Sequence, residues 1–152
     1  MKSSGLLDLF GRKLLMALQS DARCSIAELG RQIGLSQTRT AERLRRMEDA
    51  GIIQGYTVEI DRDALGLPLM AFIRLTCSGG SYHSFLKFVK SAEQVQECHH
   101  LTGGDAFLLK VTVASIGDLE KLVEKLLPYG DPITSIVLSS PVVKNALPIG
   151  LP

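Results

Sequence analysis

From Ser36 to Arg46 the chain carries four arginines, Arg39, Arg43, Arg45 and Arg46, and a single acid, Glu42. The guanidinium fork suits phosphate oxygens and guanine edges better than the point charge of a lysine does. A merely solvated helix face mixes signs and uses lysine as often as arginine. The bias here points instead to double-stranded DNA. Gln37, Thr38, Arg39 and Arg43 are the candidates for base edges. Arg45 and Arg46 are the candidates for phosphate, with Ser36 capping the helix so that its N-terminus also faces a phosphate.

Those side chains need a helix presented by a firm support, and the flanking residues predict one. Ser25 followed by Glu28 has the spacing of a capping box at a helix start. Gly34 stands where that helix must stop and the chain turn, and Ser36 then caps a second helix running to Gly51. Capped helix, glycine turn and capped helix make a helix-turn-helix, whose second helix can enter the major groove. Leu35, Thr40, Leu44 and Met47 recur at helical spacing and are expected to face inward. A first helix from Leu7 to about Ser20 offers Leu7, Phe10, Leu14, Leu15 and Leu18 as its apolar stripe. After Gly51, Ile52-Ile53 and Gly55 to Ile60 are rich in β-formers and predict a small wing or an outgoing strand.

The second half has a different rhythm. Strand-like runs at Pro68–Cys77, Val95–Thr102, Ala106–Val113 and Pro132–Leu138 alternate with helical runs at Ser81–Lys90 and after Ser115. The order β-α-β-β-α-β predicts a ferredoxin-like plait, so the fold class is α+β. Leu69, Ala71, Ile73, Leu75 and Cys77 would face the helices, leaving Met70, Phe72, Arg74 and Thr76 on the open side. The third strand repeats this, with Ala106, Leu108, Lys110 and Thr112 on the open side. An open face holding Met70, Phe72 and Leu108 calls for a cover, and a second copy of the same sheet is the simplest one.

Composition agrees with two small domains of unlike surface. Residues 1–58 hold nine Lys/Arg against six Asp/Glu, and residues 59–152 hold eight against ten, which gives +3 and −2 and returns the net +1. The expected boundaries are a DNA-binding domain over 1–58, a linker over 59–67, a second domain over 68–145 and a tail over 146–152. Cys24, Cys77 and Cys98 are too scattered for a disulfide framework, and no leader or membrane-length apolar run is seen. A cytoplasmic protein is expected. Cys98-His99-His100 does not make a metal site, because adjacent strand residues point to opposite faces. Neither a metal, a cofactor nor a catalytic group is expected.

Taken in order, these segments resemble the leucine-responsive regulatory protein/AsnC (Lrp/AsnC) family of transcription regulators. The resemblance rests on Ser25-Ile-Ala-Glu-Leu-Gly, Ile33-Gly-Leu-Ser36, Arg43-Leu-Arg-Arg-Met-Glu48 and Gly51-Ile-Ile-Gln-Gly-Tyr56. It continues through Asp61 to Leu65-Gly66, Val95-Gln-Glu-Cys98, Thr102-Gly103, Phe107 to Val111 and Thr134-Ser-Ile-Val-Leu138. It implies a winged helix-turn-helix domain followed by an effector (RAM) domain that dimerises through its sheet and assembles further, commonly to an octamer. It also implies an amino acid or related small metabolite held between effector domains, by Thr102, Gly103, Gly104 and Asp105 together with Thr134, Ser135 and Ile136. Two positions depart from the family pattern. Gly11 replaces the usual aspartate, and the acid of Gly104-Asp105-Ala106-Phe107 lies one position early. The rival reading is a sirohaem-decarboxylase-like enzyme of the same two-domain shape, with Arg74, His99 or His100 beside the tetrapyrrole. The arginine-rich helix argues against it.

Overall fold

A computed structural model describes residues 5–77, 80–103 and 106–150. It divides into two compact units, Met1–Glu59 with Val142–Pro152, and Ile60–Pro141.

In the first unit three helices follow one another: α1 (Leu9–Ser20), α2 (Ile26–Ile33) and α3 (Gln37–Asp49). Each begins at a side-chain cap. Asp8 accepts from the Gly11 N–H at 2.9 Å, Ser25 from Glu28 at 3.2 Å and Ser36 from Arg39 at 3.4 Å. These caps satisfy donors that a helix start leaves without intrahelical partners. The Ser25 box is only half made, because the Glu28 carboxylate turns to Arg31 and Gln32. Gly34 closes α2 in the left-handed conformation, at φ +78°. Leu14, Leu29, Ile33 and Met47 form the core with Leu6, and Leu15, Leu18, Leu35, Leu44, Ile52 and Ile53 pack around it.

Two expectations for this unit change. No strand forms among the described residues between Gly51 and Leu69. The extended segment is held instead by side chains, Tyr56 donating its hydroxyl to Glu48 at 2.8 Å and Asn145 its amide to Glu59. Desolvation, and then the Glu48 carboxylate, push the Tyr56 hydroxyl up to about 12. The segment from Val142 also clusters with the first unit, although the second domain was expected to run to 145. Gln19 binds both backbone groups of Leu147, and Arg12 donates to the Gly150 carbonyl at 2.7 Å.

In the second unit the strands β1 (Leu69–Cys77), β2 (Val95–Leu101), β3 (Ala106–Val113) and β4 (Gly130–Ile136) form one antiparallel sheet in the order β2-β3-β1-β4. Helix α4 (Tyr82–Ser91) follows β1, and α5 (Ile116–Leu126), capped by Ser115, follows β3. A 3-10 turn, Leu127–Tyr129, leads into β4, which starts and ends two residues before the predicted bounds. Ala71, Ile73 and Leu75 of β1 and Phe107, Leu109, Val111 and Val113 of β3 are buried with Phe85, Val89, Leu119, Leu122 and Leu126. On the opposite face Arg74 and Thr76 are exposed, while Met70, Phe72, Leu108 and Lys110 are half-buried. Thr112 departs from this pattern. It is buried, and its hydroxyl has no hydrogen-bond partner among the described residues.

Candidate DNA interface and effector site

Helix α3 turns Thr40 and Met47 fully inward, with Leu44 half-buried beside them. The Thr40 hydroxyl donates to the Ser36 carbonyl at 2.9 Å, so its polarity is spent within the turn. Ser36, Gln37, Thr38, Arg39, Arg45 and Arg46 are all exposed. Arg45 lies 3.8 Å from Asp49 one turn on, a loose pair in water. Arg39 and Arg46 are the most clearly available cations of the helix. The acid on the same stretch, Glu42, is also exposed.

Arg43 behaves differently from the other three arginines. Its guanidinium is turned back into the unit, with Nη1 2.6 Å from Asp8 Oδ1 and Nη2 2.9 Å from Asp8 Oδ2. Sequence reasoning missed Asp8 altogether, although an acid three residues before a helical N–H is an N-cap signal. It also passed over Gly30. A Cβ there would lie 2.7 Å from the Leu35 carbonyl oxygen and 3.0 Å from Thr40 Oγ1, so the turn and α3 close directly on α2.

The residues expected to hold an effector fall in two separate places. Thr102 and Gly103 are exposed at the tip of the β2–β3 hairpin, and Gly103 has φ +98°. Gly104 and Asp105 lie outside the described residues. Thr134, Ser135 and Ile136 lie on β4, half-buried, exposed and exposed in turn. Strand register fixes the separation. Ala106 at the hairpin base pairs with Thr76, which pairs with Asp131, whereas Ile136 pairs with Ala71, which pairs with Val111. Five residues of strand separate these rows, about 17 Å at ~3.3 Å per residue. The Thr134 row lies three residues from the hairpin base, about 10 Å, so the described members of the two sets stand apart along the sheet.

The open sheet face carries a charged group at the β2 edge. Lys110 Nζ is 2.8 Å and His99 Nε2 3.0 Å from the Glu97 carboxylate, and these bonds, Lys110 first, hold Glu97 below the usual carboxylate range. His100 points to the other face and stacks on Phe107, with centroids 4.7 Å apart and planes 18° apart. Arg74, on the open face, is opposite Leu108, and Leu108 is opposite His99. Arg74 and His99 thus share the open face on either side of Leu108, and His100 lies on the other face. Among the described residues no cluster of three or more His, Cys, Asp or Glu has the geometry to hold a metal ion.

Known proteins match both units. A profile for winged helix-turn-helix DNA-binding matches residues 7–54, and a profile for the Lrp/AsnC ligand binding domain matches residues 70–147. The HTH-type transcriptional regulator LrpC of Bacillus subtilis is 32% identical over 139 residues, covering 91% of this chain and 96% of that protein. The leucine-responsive regulatory protein of Escherichia coli is 38% identical over 124 residues, 80% of this chain and 76% of that one. Among solved structures, LrpC superposes with a TM-score of 0.85 at 31% identity, over 90% of this chain and 98% of the other. A transcriptional regulator of Neisseria meningitidis in complex with L-Met gives 0.88 at 28% identity, over 93% of this chain and 96% of the other.

Proposed function

This chain belongs to the Lrp/AsnC family of transcriptional regulators, and we propose that it reads a specific DNA operator under the control of a bound amino acid or close metabolite. Gln37, Thr38 and Arg39 meet base edges, because they occupy the exposed first turn of α3. Arg45 and Arg46, with the helix start at Ser36, hold phosphates. The effector is an amino acid, as in the L-Met complex of the Neisseria meningitidis relative. The protein acts in the cytoplasm as a regulator and not as an enzyme.

The observation that carries the effector reading is the register. The hairpin base at Ala106 stands about 17 Å along the sheet from Ile136. A pocket that uses both sets needs a second chain. Backbone N–H groups at Gly103 and Gly104 suit a carboxylate, and Asp105 suits an ammonium group. The half-buried Met70, Phe72 and Leu108 supply the surface on which two copies meet, and dimers then assemble to an octamer.

The test is a fluorescence titration of the protein with labelled DNA from upstream of its own gene, in a salt series, with and without mixed amino acids. Binding tighter than to random DNA, steeply salt-dependent and shifted by the amino acids, is the expected result. Binding that ignores every amino acid removes the effector assignment and leaves the DNA reading standing.

A further inference from the structure

Arg43 is surrounded by groups that leave it no role at the DNA surface. Its side chain is 21% exposed, against 81% for Arg45. The fork is matched to both oxygens of Asp8, and Nη1 also lies 3.4 Å from the Leu6 carbonyl. The same carboxylate caps α1 through the Gly11 N–H. Bonds from Arg43 first, and from that N–H second, hold Asp8 below the usual carboxylate range. Gly11 leaves the space this arrangement occupies. A Cβ there would lie 1.7 Å from the Leu6 carbonyl oxygen and 3.3 Å from Arg43 Nη1. The start of α1 and the middle of α3 therefore meet at one point, across 35 residues of sequence.

We infer that Arg43 is a positioning residue for operator reading: through Asp8 and the Leu6 carbonyl it fixes the roll of α3 against α1, and it touches no DNA itself. A helix read along one face loses its register with the groove when it rolls, so sequence selectivity needs a support locked by bidentate contacts. The carboxylate beside Arg43 cancels its charge, so Arg43 releases no counterion when DNA binds and adds nothing to the salt dependence. This inference rests on the DNA reading above.

The experiment uses the full chain and DNA that the wild-type protein enriches from a random pool. Wild type, Asp8→Ala, Arg43→Ala and the double variant are titrated against enriched and random DNA in a salt series. Arg43→Lys keeps the charge without the fork. Each single variant is expected to lose between about twofold and about a hundredfold in affinity for the enriched sequence, with the double variant no worse than either. The preference over random DNA falls with it, and the salt slope of Arg43→Ala stays at the wild-type value.

If Arg43→Ala flattens the slope by about 0.9 while Asp8→Ala binds as tightly as wild type, Arg43 is a DNA contact and the inference is overturned. Losses of stability with an unchanged preference for the enriched sequence overturn it as well, since a merely structural pair does only that. If the pool yields no enriched sequence, the operator reading itself fails. The same four proteins are then compared in urea, where an Asp8–Arg43 coupling of zero overturns the lock.

Discussion

Gly30→Ala is expected to destabilise the first unit, against the ordinary preference of helices for alanine. Gly30 lies inside α2, where replacing glycine normally gains up to ~1 kcal/mol. Here the new Cβ would lie 2.7 Å from the Leu35 carbonyl oxygen, where ordinary contact begins at 3.4 Å. The obstructing atom is backbone and cannot swing aside. The second obstruction, Thr40 Oγ1 at 3.0 Å, is buried and committed to the Ser36 carbonyl. Overpacking of this kind costs ~1–3 kcal/mol, which outweighs the propensity gain. A net loss of about 1–2 kcal/mol lowers the melting temperature of a unit of about seventy residues by roughly 5–15 °C. Gly117→Ala in α5 is the matched control, because its Cβ would meet only Ser115 Oγ at 3.8 Å. Propensity should win there, leaving the second unit as stable or slightly more so. Thermal unfolding followed by circular dichroism and by amide exchange in each unit separates the two. Equal or increased stability of Gly30→Ala would refute the steric argument, and with it the claim that α2 and the turn close directly on α3.

Three further outcomes follow from the same geometry. Arg46→Ala should weaken binding to enriched and random DNA alike and reduce the salt slope by about 0.9, read by titration across a salt series; unequal losses would make Arg46 a base reader. Phe72→Asp should convert dimers to monomers in sedimentation velocity, and a variant that still sediments as a dimer would place the interface elsewhere. Asp8 has a folded pKa below its ordinary value of 3.8, so its contribution is full above that value and is lost as the pH falls through the folded one. Asp8→Asn should therefore flatten the acid limb of first-unit stability below about pH 4, and an unchanged limb would show that the carboxylate is not engaged in solution.

Features that depend on neighbours in sequence were legible before any coordinates. Ser25 and Ser36 cap the helices they were expected to cap, because a cap is decided within four residues. The plait followed from the element order β-α-β-β-α-β, and alternation assigned Ala71, Ile73 and Leu75 to the core. What was not legible depends on residues far apart. The tail from Val142 has no periodicity to announce its return, which is decided by Gln19, Arg12 and Glu59. Strand-formers at Ile52–Ile60 do not become a strand without a ladder partner, and propensity cannot supply one. Thr112 alternates to the open side, but alternation says nothing of what lies over it. Counting arginines marks α3 but does not show that Arg43 turns back to Asp8, 35 residues away.

The open sheet face joins these observations to the assembly proposed for the effector. Burying a charge is costly unless it is already paired, and on this face Glu97 is paired with Lys110 and His99 within the chain. Lys110 stands opposite Phe72, so the paired charges adjoin the apolar patch. Met70, Phe72 and Leu108 are half-buried on the face opposite α4 and α5, and Ile133, opposite Arg74, is 60% exposed. An apolar patch beside charges satisfied in advance loses little on being covered by a like surface. The chain that leaves Thr102 and Gly103 distant from Thr134–Ile136 also carries a face suited to a second copy. Both facts are met by the same step, association, which is why Phe72→Asp should cost effector response as well as dimers.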